Sequence, residues 1–198
     1  MIFATAFTLS ACRATKITSS WKVEDHTTKP YHNIMVWGIL PESDSSLRTK
    51  METHLVNDLV SKGYHAVASL DVYKDKAYDK LTPAEILNEF NSTGVDAVMT
   101  VVLLSKEKEE KYYPGGYFTQ PANNYGNLDK YYSSVFERVF IPGYYVSTTD
   151  YYWQSNFFEV KDGKLVYSVK TKSLDPYTID LLAHESGLLI IKNMVSKK

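Results

Sequence analysis

One sulfur stands behind an apolar run at the start of this chain. Ile2 to Leu9 carries no charge, Ser10 and Ala11 are small, and Cys12 is the only cysteine in 198 residues. An apolar segment ending in small residues and one thiol reads as an export signal whose processed end carries lipid, with Ser10 and Ala11 small enough to enter a peptidase cleft. The run falls well short of the roughly 20 residues that span a bilayer, so a transmembrane anchor is not expected. Two other groupings bring reactive types together. His184-Glu185-Ser186 are neighbours on one helical segment, where consecutive side chains diverge and cannot pair as nucleophile and base. Asp71, Asp75 and Asp79 recur every four residues, but Lys74, Lys76 and Lys80 intervene, the pattern of a solvated face rather than a cation site. No Gly-x-Ser-x-Gly elbow, phosphate-binding glycine loop or His-Glu-x-x-His helix occurs. The expectation is a non-enzyme with no catalytic residue, no metal ligand and no cofactor.

The string Leu9-Ser10-Ala11-Cys12 resembles the lipobox of bacterial lipoproteins. That resemblance implies a signal peptide over 1–11 and a mature chain that starts at a lipid-bearing Cys12. No Lys or Arg precedes Arg13, where a signal peptide opens with positive charge, and this leaves a start upstream of Met1 open. Arg13 stands where inner-membrane lipoproteins of the enterobacterial pattern carry aspartate. The address implied is the cell envelope, at the periplasmic face of the outer membrane.

Composition narrows the partners. Lys plus Arg total 22 against 23 Asp plus Glu, with no long basic block, so nucleic acid is not an expected partner. With 44% hydrophobic residues the chain can build a real core, and its length suits one domain. A lone cysteine excludes an internal disulfide, and the five histidines show no zinc spacing.

The elements that must carry these residues follow from patterning. Residues 12–30 are polar and Thr/Ser-rich and read as a lipidated tether, in which Ile17 and Trp21 can dock as a short edge strand. The globular domain is expected over 31–198. Ile34 to Leu40 is a continuous apolar run closed by Pro41, the habit of a strand covered on both faces. Ser45 or Ser46 caps a helix whose apolar stripe is Leu47, Met51, Leu55, Leu59 and Val60, with Gly63 as its stop. Arg48 and Glu52, four apart, read as a solvated ion pair on its outer surface. Tyr64 to Ala68 is a second strand, Thr82-Pro83-Ala84-Glu85 is a capping box opening a second helix that ends at Gly94, and Val95 to Leu104 is a third strand. Trp153–Val160 and Leu165–Lys172 flank Asp162-Gly163 as a hairpin. Asp175-Pro176 then opens a last helix with Ile179, Leu182, Leu189, Ile190 and Met194 on its core face. The fold class is α/β of mixed α+β character: a mixed sheet of about five strands, β-α-β-α-β followed by a hairpin and a C-terminal helix.

Ile17-Thr18-Ser19-Ser20-Trp21-Lys22, the Ile34–Leu40 strand, the Arg48/Glu52 helix, Ser69, Val95-Asp96-Ala97-Val98, Pro142-Gly143-Tyr144-Tyr145 and Gly163 to Ser168 together resemble uncharacterised envelope lipoproteins of a domain-of-unknown-function family found in Bacteroidota-like bacteria. The architecture is similar to the N-terminal domain of TolB and to lipoproteins of the curli-secretion and penicillin-binding-protein-activator type. What the resemblance implies is a periplasmic, lipid-tethered interaction domain, with no catalytic motif to carry over.

Between the two halves lies a tyrosine-rich insertion, at about 105–150. Ten of the chain's sixteen tyrosines fall between Tyr112 and Tyr152, mixed with Pro114-Gly115-Gly116, Gln120, Asn123 and Asn124. As structure, tyrosines suit strands, here Val135–Ile141 and Tyr144–Tyr152. As function, Tyr113, Tyr117, Tyr125, Tyr131, Tyr132, Tyr144 and Tyr145 offer flat apolar faces with polar tips, suited to anchoring a protein partner or stacking on sugar rings. Three readings follow: a non-catalytic assembly or protein-interaction domain first, a carbohydrate or peptidoglycan binder second, and a hydrolase with an unfamiliar site third.

Overall fold

The computed structural model describes residues 14–23, 31–73, 82–113, 126–140 and 142–196. Cys12, Asp75, Asp79, Tyr117 and Tyr125 lie outside that range. The described residues form a six-stranded mixed sheet with strands β1 (Thr15–Lys22), β2 (Ile34–Ile39), β3 (Ala66–Ala68), β4 (Ala97–Tyr113), β5 (Tyr144–Glu159) and β6 (Lys164–Leu174), in the order β1-β6-β5-β4-β2-β3. β2 pairs in parallel with both β3 and β4, whereas β6 is antiparallel to β5 and to β1. The mixed α/β class is as expected, with one more strand. That strand is β1, which takes residues expected within the tether and pairs them along β6.

The chain separates into two compact units, one built from the residues up to Lys106 and from Asp150 onward, the other from Glu107–Thr149. In the first, β2 is covered on both faces, as its unbroken apolar run requires. Ile34 and Val36 enter a large core with α1 (Ser45–Ser61) and α5 (Ile179–Val195), while Met35 enters a smaller one with Phe90, Val95, Val98 and Val160. Trp37 meets Phe90 edge-on at 5.6 Å. α1 buries Leu47, Met51, Leu55 and Leu59 at helical spacing, but Val60, expected on that stripe, is 53% exposed. The second strand is only Ala66–Ala68, followed at once by the short α2 (Ser69–Val72). α3 (Pro83–Ser92) carries the capping box in full: Thr82 Oγ1 accepts from Glu85 N at 3.3 Å and Glu85 Oε2 accepts from Thr82 N at 2.7 Å.

The last helix starts later than its Asp-Pro signal. Asp175 has φ 37°, a left-handed conformation that cannot open a right-handed helix, and the cap passes to Thr178, whose Oγ1 accepts from Leu181 N at 3.1 Å. β1 is tied to this helix at both ends. Thr15 N donates to Glu185 Oε2 at 3.2 Å, and the Lys22 ammonium donates to Asn193 O at 3.3 Å, near the helix C-terminus.

In the second unit, the outer part of β4, the start of β5 and α4 (Leu128–Phe140) are described. Val135–Ile141, expected as a strand, is helical up to Phe140. Asn127 explains the difference: its Oδ1 accepts from Lys130 N at 3.1 Å and its carbonyl from Tyr131 N at 3.3 Å, which caps a helix.

Candidate functional site

The tyrosine-rich insertion does not act as one piece. Tyr151 and Tyr152 belong to the first unit and are partly covered, with Tyr151 stacked on the buried Trp153 at 6.4 Å and 10°. In the second unit the strand tyrosines are open to solvent: Tyr145 is 70% exposed, Tyr144 56% and Tyr112 51%. They are organised in pairs. Tyr113 stacks on Tyr144 at 5.7 Å and 16°, Tyr112 tilts against Tyr145 at 5.0 Å, and the Lys111 ammonium lies 5.4 Å from the Tyr113 ring centre. Gly143 leaves room for the Tyr112 ring, because a Cβ there would overlap its hydroxyl end. Tyr131 and Tyr132 are exposed on α4, with Tyr132 against Phe136 at 5.8 Å. The structure thus brings Tyr113, Tyr144 and Tyr145 together, adds Tyr112, and puts Tyr131 and Tyr132 on the helix. Stacked phenol rings with free edges form a rigid amphipathic surface, which binds apolar groups through the ring and polar ones through the hydroxyl at small entropic cost.

The Arg48–Glu52 pair is not the solvated surface pair its spacing predicts. Glu52 is fully buried beside the carboxyl ends of β2 and β3. Its Oε1 accepts from Gly38 N at 2.8 Å, Ser69 Oγ at 2.9 Å and Arg48 Nε at 3.0 Å, and its Oε2 accepts from Leu70 N at 3.0 Å. Arg48 in turn donates to Ser69 Oγ at 3.1 Å. Gly38 admits the carboxylate, since a Cβ there would fall 2.8 Å from Arg48 Cγ and 3.0 Å from Glu52 Oε1. A buried carboxylate held by four donors, three of them on Oε1, is a structural pin that ties three backbone segments together. Sequence reasoning missed it because the i,i+4 pattern is the same on a wet face and a dry one. Gly38 inside an apolar strand run was the available signal, since glycine there marks close approach by a neighbour.

The His184-Glu185-Ser186 trio diverges as expected of helix neighbours. His184 meets His54 of α1 ring to ring at 5.4 Å, Glu185 turns to β1, and Ser186 is buried. Burial pushes the Asp58 carboxyl above its ordinary pKa, while nearby His184, His54 and Lys62 pull it back. His54 also faces Asp180 at 3.5 Å, and Lys50 bonds the same carboxylate at 2.8 Å. Among the described residues no three His, Cys, Asp or Glu side chains converge as a metal site, and Asp71 stands exposed at the end of α2.

No family model matches the chain. No curated protein matches it either. Among solved structures it is similar to the PelC dodecamer from Paraburkholderia phytofirmans, at 11% identity over 93% of this chain and 98% of that one, with a TM-score of 0.46. It is also similar to lipoprotein GNA1162 from Neisseria meningitidis, at 12% identity over 82% of this chain and 97% of that one, with a TM-score of 0.43. A putative neuraminyllactose-binding hemagglutinin homolog from Helicobacter pylori matches at 14% identity over 84% and 87% of the two chains, with a TM-score of 0.38. No residue role passes from these proteins to this chain.

Proposed function

We propose that this chain is a non-catalytic, lipid-anchored domain of the bacterial cell envelope, held through Cys12 at the periplasmic face of the outer membrane, and that Glu107–Thr149 presents its tyrosines to a protein partner. The observation that carries the reading is the exposure of Tyr112, Tyr144 and Tyr145 in ordered ring pairs on a unit of its own. Large aromatic side chains left in water at fixed geometry are what interface anchors look like before the partner arrives. Commitment of Glu52 to four donors and the packing of His184 against His54 favour binding over catalysis. A glycan partner is the second reading, favoured by the 70% exposure of Tyr145, whose ring is open to a sugar face.

The test is site-specific photocrosslinking in the native host, with a benzophenone amino acid at Tyr145 and, as comparison, at Lys161 in the exposed turn before β6. A discrete protein adduct at position 145 and none at 161 is expected. Absence of any adduct at 145, with retention of the purified chain on peptidoglycan, turns the reading to the glycan partner.

A further inference from the structure

Backbone pairing is already in place two residues after Cys12. Leu174 N donates to Ala14 O at 2.9 Å and Thr15 N donates to Glu185 Oε2 at 3.2 Å, so Arg13 is the one residue between Cys12 and a backbone already fixed to the end of β6. Two residue steps reach about 7 Å when extended. A lipid on Cys12 leaves no slack of tether length, and the junction of β6 with α5 must lie at the level of the headgroups.

At that junction the fold exposes large apolar side chains alongside the polar Asp175, Thr178 and Asp180. Tyr177 is 93% exposed, Leu174 43%, Leu181 40% and Ile179 38%. The segment that joins them holds Asp175, the one non-glycine residue with positive φ among those described, followed by Pro176, so its course is fixed rather than left to solvent. Two of the neighbouring acids carry counter-charges, Asp180 from Lys50 at 2.8 Å and Asp150 from Lys172 at 2.9 Å, and Glu185 accepts from the Thr15 amide, while Asp175 stays at the exposed turn, where it can sit at headgroup level. Tyrosine beside aliphatic side chains is the composition that settles at a bilayer interface, ring among the upper acyl chains and hydroxyl among headgroups.

We propose that Leu174–Leu181 is a lipid-contact loop, in which Leu174, Tyr177 and Leu181 enter the membrane that holds the acylated Cys12 and press the first unit against the bilayer. This rests on the lipid-anchor reading given above. Acyl chains hold the protein at the surface, and the loop adds a second point of contact that fixes its orientation.

The test uses the full chain, purified with its lipid and placed in vesicles of phosphatidylethanolamine and phosphatidylglycerol. Acylation blocks the native thiol, so Tyr177→Cys supplies the one reactive sulfur for an environment-sensitive fluorophore; Asp162→Cys, in the turn at the far end of β6, is the comparison. Both positions are exposed, and Asp162→Cys removes one turn acceptor, that of Lys164 N at 3.2 Å, away from both apolar cores. The label at 177 is expected to emit to the blue and to be quenched several-fold more strongly by nitroxide lipids than the label at 162. Acylation verified by mass together with a label at 177 as aqueous as that at 162 overturns the loop proposal alone. A chain without acyl mass overturns the anchor reading, and the loop proposal falls with it.

Discussion

Glu52 shows how one buried charge joins pieces of backbone distant in sequence. Its two oxygens collect β2 through Gly38, the start of α2 through Leu70 and Ser69, and its own helix through Arg48. A carboxylate taken fully out of water is tolerated only when it is paired and hydrogen-bonded, and here four donors, Arg48 among them, hold it. Replacement by glutamine keeps the volume but swaps one acceptor oxygen for a donor group facing amide hydrogens, and it leaves Arg48, with a side chain only 24% exposed, without its counter-charge. Glu52→Gln should therefore lower unfolding stability by about 3 kcal/mol, the lower end for breaking a buried pair. Urea titration gives the measurement, with a lower midpoint at unchanged slope as the expected result; a loss under about 1 kcal/mol would show the network to be dispensable.

At the scale of elements, the parts readable from sequence were those with a one-to-one physical cause. β2 and β4 had unbroken apolar runs because both faces are covered, and the β5–β6 hairpin had Asp162-Gly163, where Gly163 takes φ 67°. The Thr82/Glu85 box named a helix start that forms as written. Where one pattern has two causes, reading failed. Val135-Phe136-Glu137-Arg138-Val139-Phe140-Ile141 is rich in β-branched and aromatic residues, yet Leu128, Tyr132 and Phe136 recur every four residues and Asn127 supplies the cap, so helix wins over strand propensity. The exposed tyrosines were legible by type but not by place, because a strand of alternating aromatics does not say which side is covered. Asn127→Ala removes the acceptor for Lys130 N, and helix capping is worth about 1 kcal/mol. The expected outcome is faster amide exchange over Leu128–Ser133, with exchange in β2 unchanged; equal acceleration in both would mean that α4 is not capped locally.

For the molecule as a whole, the two units differ in what they owe each other. Both apolar cores are built from residues outside 107–149, and β1 closes the first unit by pairing with β6 and bonding at both of its own ends to α5. Folding of that unit therefore draws its hydrophobic driving force from the remainder of the chain. Within it, Lys106 stands 5.8 Å over the Tyr151 ring, so β4 and β5 lie side by side where the insertion leaves and returns. Replacing Glu107–Thr149 by Asn-Gly, a pair suited to a two-residue hairpin turn, should leave a chain that unfolds in one cooperative transition with the near-ultraviolet signature of buried Trp153 intact. The same chain should give no partner adduct, even though Cys12 and the loop around Tyr177 are retained. Loss of cooperative unfolding would place part of the first unit's stability in the insertion. Retained folding with loss of the adduct would assign membrane attachment to one unit and partner recognition to the other.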